Sequence, residues 1–141
     1  MSYMQVKIKK LNEKAVIPKY SKDGDAGLDM VATSVEFDSR GYVIYGTGLA
    51  IEIPKGFVGL VFPRSSVSNK DLLLSNSVGV IDSGYRWEIM AKFKIMGTDL
   101  YEVGERCLQL IILPYPSIEF VEADELSETE RGICGYGSTG K

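Results

Sequence analysis

Arg106–Pro114 reads RCLQLIILP, an almost unbroken apolar run bounded upstream by the turn residue Gly104 and downstream by a proline. It is too short for an amphipathic helix, and a continuous apolar run of this length reads as a strand covered on both faces. Cys107 reads there as a small core residue. Gln109 is the odd letter: an amide inside such a strand must find a hydrogen-bond partner or a ligand.

Outward from this run the same grammar repeats. Upstream lie MQVKIKKL (4–11), GLDMVAT (27–33), YVIYGTGLAIEIP (42–54), FVGLVFP (57–63) and WEIMAKFKI (87–95), with glycines between or within them. IEIP and KFKI alternate with period two, as half-buried strands do. No window carries a long helical stripe; SSVSNKDLL (65–73) holds one short helical turn at most. Many short strands at close spacing predict a single all-β domain, a jelly-roll-like sandwich or barrel. Downstream, PYP (Pro114–Pro116) interrupts the sheet pattern, because proline cannot donate to a ladder. One further strand is expected in SIEFVEA (117–123), ending a β core of about residues 1–122. The acidic ADELSETE reads as a solvated tether over 123–130, and RGICGYGSTGK (131–141) as a flexible glycine-rich arm.

That arm poses a question. Ordering each residue costs roughly 1–2 kcal/mol of backbone entropy, and its four glycines bury nothing in return. Either it is a loose chain end, or a ligand orders it.

Bulk composition narrows the function. The chain has 141 residues, 45% apolar and 25% charged, with net charge -3, which gives no electrostatic footprint for nucleic acid. No apolar run reaches membrane-spanning length, and MSYMQVKIKK lacks a secretory apolar stretch, so a cytoplasmic location is expected. Cys107 and Cys134 have no metal-ligand spacing. The absence of histidine removes His-based triads and His-ligated zinc, leaving proton transfer near neutral pH mainly to carboxylates.

Five stretches combine residues suited to a phosphorylated ligand. DAGLDM (25–30) carries Asp29 after a glycine turn. PRSSVS (63–68) puts Arg64 beside the Ser65 and Ser66 hydroxyls and amides, a compact anion cradle. SNSVGVIDSGYRWE (75–88), hairpin-like, sets Asp82 at a strand end beside Tyr85, where it could activate water. GERCLQL (104–110) contains Gln109. The tail offers Arg131, Ser138, Thr139 and glycine amides for phosphates, with Tyr136 free to stack on a base. Each taken singly reads as well as a turn aspartate, a capped turn with a surface arginine, or a packed tyrosine.

Their order and spacing closely resemble the five motifs of the trimeric deoxyuridine triphosphate nucleotidohydrolases, the dUTPases, from about residue 25 onward. The resemblance implies hydrolysis of dUTP to dUMP and pyrophosphate, limiting uracil incorporation into DNA. Asp82 aligns with the general base that deprotonates a water attacking the α-phosphorus. Arg64, Ser65, the Ser66 amide, Gln109, Arg131, Gly137, Ser138 and Thr139 fall where the family binds the triphosphate. Asn76, Val80, Ile81, Tyr85 and Met90 fall where it touches the nucleoside, and Tyr136 covers the uracil. A Mg2+ ion held mainly by the phosphates is implied, with Asp29 acting through water or orienting an arginine. So is a homotrimer with sites at subunit interfaces and the tail as a lid. Ser66 and Trp87 replace usual glycines, and Tyr136 a usual phenylalanine. A dCTP deaminase-like enzyme and a nucleotide-sensing module are the rival readings.

Overall fold

The computed structural model describes residues 3–137 and Gly140. Among the described residues ten strands form three antiparallel sheets: β1 (Lys7–Lys10), β2 (Leu28–Val31), β3 (Ser34–Asp38), β4 (Tyr42–Gly46), β5 (Leu49–Glu52), β6 (Phe57–Pro63), β7 (Leu72–Leu74), β8 (Gly79–Ile81), β9 (Met90–Ile95) and β10 (Arg106–Pro114). The two larger sheets run β2-β10-β6-β8 and β3-β4-β9-β7; β1 and β5 make a two-stranded ribbon. Strands adjacent in space but remote in sequence, packed in two layers, make the all-β jelly roll that the turn spacing predicts. Among the described residues the one helical element is a 3₁₀ turn, Ser65–Asn69.

β10 sits between β2 and β6, as its apolar run requires. Period-two alternation sends Leu108 and Leu110 into the core with Met30 and Val61, against Val43, Tyr45, Ala91 and Phe93 of the other sheet. Tyr45 meets Phe93 edge-on at a centroid distance of 5.8 Å. Its hydroxyl, deep in this layer, donates to the Tyr101 carbonyl at 2.7 Å, so no polar atom is buried unpaired there. Coverage of β10 on both faces is incomplete within one chain: Ile111 and Leu113 are half-buried.

Three local features differ from the sequence reading. Ser117–Ala123 joins no ladder, and Phe120 is 95% exposed; after Pro114 and Pro116 the chain leaves the sheet with its apolar residues uncovered. Ser75–Glu88 is not a two-stranded hairpin, because β7 pairs with β9 while β8 pairs with β6 in the opposite sheet. β3 has a visible alternation in Val35 and Phe37, but both are exposed, so nothing in its surroundings separates it from a loop by composition.

No helix among the described residues is long and apolar enough to cross a membrane.

Candidate active site

Asp29, Arg64 and Gln109 come from distant parts of the chain and meet across three adjacent strands. The register sets Gln109 of β10 opposite Asp29 of β2 on one side and opposite Phe62 of β6 on the other. Arg64 follows β6 directly. Its Nε donates to Asp29 Oδ1 at 2.7 Å, and Arg106 Nη1 lies 3.5 Å from Asp29 Oδ2. The Arg64–Asp29 bond uses one of the five guanidinium N–H groups, leaving the four on the Nη nitrogens as donors for an anion. Gln109 Nε2 donates to the Pro63 carbonyl at 3.0 Å, which answers the question its position raises. A Cβ on Gly27 would lie 2.5 Å from Gln109 Oε1, so a larger residue there would displace the end of the Gln109 side chain.

The 3₁₀ turn continues from Arg64. Ser65 is exposed, while Ser66 turns its Oγ inward to within 2.8 Å of the Tyr101 hydroxyl. The positive backbone φ that would make a serine costly at position 66 does not occur; among described non-glycine residues Ser77 alone has one, at 63°.

The second group of residues lies around β8. Asn76, Ile81, Tyr85 and Met90 line one cavity of about 410 Å³, together with Glu88 and Lys92. Tyr85 is fixed by its hydroxyl, which donates to the Glu88 carbonyl at 2.7 Å. Val80 and Asp82, one residue to either side of Ile81, line a different cavity of about 480 Å³ with Phe57, Val58 and Tyr115. This split follows from strand alternation. Asp82 is exposed, and its main-chain carbonyl closes the following turn by accepting the Tyr85 N–H at 3.0 Å.

The two groups are far apart in one chain. Ile81 pairs with Gly59, so Asp82 lies beside the start of β6, whereas Arg64 lies beyond its end. Six residues of strand at ~3.3 Å each separate them by roughly 20 Å.

The described tail residues, 131–137, are exposed, and their hydrogen bonds stay within the tail and its tether. Arg131 donates from Nε to the Cys134 carbonyl at 3.1 Å and from Nη2 to that of Gly135 at 3.3 Å. Tyr136 is fully exposed, and Gly137 has φ 81°. Ser138 and Thr139 lie outside the described residues.

The dUTPase family description matches residues 13–140. The chain belongs to the dUTPase family. A deoxyuridine 5'-triphosphate nucleotidohydrolase of Crocosphaera subtropica is 42% identical, covering 97% of this chain and 99% of its own length. The dUTPase of Staphylococcus bacteriophage 80alpha, solved with dUPNHPP, is 27% identical with a TM-score of 0.82, over 97% of this chain and 99% of its own. A mutant dUTPase of S. aureus phage phi11, 24% identical with a TM-score of 0.74 over 86% of this chain and 98% of its own, is alike in fold and is described with a structural Mg(II) ion.

For a dUTPase the metal question turns on donor chemistry. Among the described residues no three acidic or cysteine side chains gather into a cage, and both Asp29 oxygens face arginines. Both carboxylate oxygens of Asp29 are thus engaged by cations, so Asp29 would meet a hard cation such as magnesium through water and not directly.

Sequence reading gave no role to two residues that touch this candidate site. Arg106 stands at the head of β10 within GERCLQL as an unassigned charge, and its pairing with Asp29 comes from the register of β10 on β2. Tyr101 gave no signal, since its partner Ser66 is 35 residues away.

Proposed function

We propose that this chain hydrolyses dUTP to dUMP and pyrophosphate, with Asp82 as general base. The observation that carries the reading is the meeting of Asp29, Arg64 and Gln109 on β2, β6 and β10, the three strands that hold the first, second and fourth motifs. In the reaction Asp82 takes a proton from water, the water oxygen forms a bond to the α-phosphorus, and pyrophosphate leaves with the electrons of the broken P–O bond. A carboxylate suits the role in a chain with no histidine. Arg64, Ser65 and the Ser66 amide, with Gln109 behind them, receive the phosphate charge. A magnesium ion would add charge neutralisation at the phosphates, and Asp29 orients Arg64 toward them.

Asn76, Ile81, Tyr85 and Met90 hold the nucleoside. Main-chain groups of Val80 and Ile81 read the uracil edge, and cytosine would leave them unpaired. Thymine is refused by a clash of its methyl, since loss of attraction alone is worth only ~1–3 kcal/mol. Tyr85 packs on the deoxyribose and excludes a 2′-hydroxyl.

A triphosphate is far shorter than the separation of Asp82 from Arg64. This supports sites completed by neighbouring subunits of a homotrimer, Asp82 and Arg64 coming from different copies. The uncovered Ile118, Phe120 and Val121 fit a chain that covers them by association. We read 123–130 as the tether and 131–141 as the lid, ordered when Arg131, Gly137, Ser138 and Thr139 meet phosphates and Tyr136 covers the uracil. Two free cysteines suit a reducing cell interior.

The deciding assay measures pyrophosphate release from dUTP, dCTP, dTTP and UTP, with ammonia release from dCTP alongside. Release confined to dUTP is expected; ammonia would reverse the assignment. Deleting residues from Arg131 onward should leave the circular dichroism spectrum unchanged and remove most turnover, and undiminished turnover would refute the lid.

A further inference from the structure

We propose that Tyr101 is a positioning residue for the phosphate-binding turn, acting through its hydroxyl on Ser66. The inference rests on the dUTPase reading above and adds a residue outside the five motifs.

The turn Ser65–Asn69 is clamped by the loop that joins β9 to β10. Ser66 Oγ and Tyr101 Oη lie 2.8 Å apart. Tyr101 is itself immobilised: it is 4% exposed, its carbonyl accepts the Tyr45 hydroxyl at 2.7 Å, and its ring meets Tyr45 and Phe93 at 6.1 and 6.2 Å. At the far end of the turn the Lys70 N–H bonds the Val67 carbonyl at 3.0 Å. Lys70 Nζ then sits 5.3 Å over the Tyr101 ring, bonded to Asp99 at 3.2 Å and 3.7 Å from Glu105. Asp71 reinforces the clamp, accepting the Thr98 and Asp99 N–H groups at 3.0 and 2.8 Å.

The consequence concerns what the turn presents to a ligand. With Oγ turned inward to Tyr101, Ser66 is left to offer its main-chain N–H to a ligand, and where Tyr101 holds the side chain constrains that N–H. The Val67 N–H is already given to the Arg64 carbonyl at 2.9 Å. Outward donation from this turn therefore falls to Arg64, Ser65 and the Ser66 amide. A serine where the family usually has glycine is thus an anchor: it exchanges backbone freedom for a hydrogen bond to a buried, fixed hydroxyl.

The test uses the full chain and three variants, Tyr101→Phe, Ser66→Ala and the pair together. Phenylalanine keeps the ring packing, so folding should persist, with thermal midpoints checked for each. Four quantities are read: kcat and KM for dUTP, and dissociation constants for dUpNHpp and for dUMP. Either single variant should weaken dUpNHpp roughly three- to tenfold, the range for one hydrogen bond. The double variant should be no weaker than the worse single. Affinity for dUMP, which lacks the two outer phosphates, should stay within about twofold. Unchanged dUpNHpp affinity in Tyr101→Phe, equal losses for dUMP and dUpNHpp, or additive losses in the pair would each overturn the positioning role. Unaltered protein that turns over no dUTP would instead end the dUTPase reading and this inference with it.

Discussion

At the Pro63 end of β6, Arg64 is gripped by Asp29 at 2.7 Å, Gln109 by the Pro63 carbonyl at 3.0 Å, and Ser66 by Tyr101 at 2.8 Å. At the Phe57 end, Asp82 is exposed on a turn following a three-residue edge strand. One region is held by hydrogen bonds within the chain; the other is open to solvent. The difference fits the two tasks proposed for them. Charge on a polyphosphate is stabilised best by donors that need no reorganisation, whereas a base must stay open to water and product.

The largest effect is expected at the open end. Asp82→Asn should lower kcat by about 10²–10⁴-fold, the usual worth of a positioned general base, while dUpNHpp still binds by calorimetry. Retained hydrolysis would remove Asp82 from the role. Arg64→Ala attacks the built end, and mixing sharpens the contrast between the two. Neither variant alone should turn over dUTP efficiently, but subunits of the two exchanged at equal concentration should recover about a quarter of wild-type activity, because random assembly in a symmetric oligomer pairs an intact Asp82 with an intact Arg64 at that frequency. No recovery, despite exchange demonstrated by native mass spectrometry, would mean that each chain builds its own site.

Asp29→Asn is the next smaller step. It removes the charge that orients Arg64, and KM for dUTP should rise roughly tenfold, as for other hydrogen bonds to charged groups, with kcat less affected. A fall in kcat at unchanged KM would place Asp29 in the chemical step.

The smallest effect is on stability. Burial pushes the Cys107 thiol up to about 12, and the fully buried Tyr45 hydroxyl likewise. An unfolded cysteine releases its proton near pH ~8.5, so above that value the unfolded chain binds fewer protons than the native one. The stability this group contributes is complete below pH ~8.5 and is lost as pH rises towards 12. Thermal midpoints should fall through that window, and Cys107→Ala should flatten the fall below pH ~10, where tyrosine has yet to titrate. An unchanged slope would assign the alkaline loss elsewhere.

Much of the layered core could be read from letters. RCLQLIILP and FVGLVFP form strands because short unbroken apolar runs suit neighbouring central strands, YVIYGTGLAIEIP because its IEIP end alternates, and Gly104 and Pro114 bound β10 as punctuation should. What failed to be legible depends on partners. SIEFVEA has the composition of a strand, but a strand needs a neighbouring edge, and after Pro116 the chain has left its own. Ser75–Glu88 looked like a hairpin because its glycines suit turns; that β7 and β8 enter opposite sheets is decided by pairing with β9 and β6, which local letters do not carry. In the site, the types Asp29, Arg64 and Gln109 were readable from their motifs, while the Asp29–Arg64 bond is a product of register. Tyr101 was invisible for the same reason, its role lying in one hydroxyl contact across the fold.

Arg131 is the sole lysine or arginine between Arg106 and Lys141, and it stands in exposed chain beyond the last strand. Trypsin, which needs an accessible basic residue, is therefore offered one cut in that whole stretch, and the cut severs the glycine segment from the body. Protection of this single bond by added nucleotide would report engagement of the segment on a gel, without any assay of turnover.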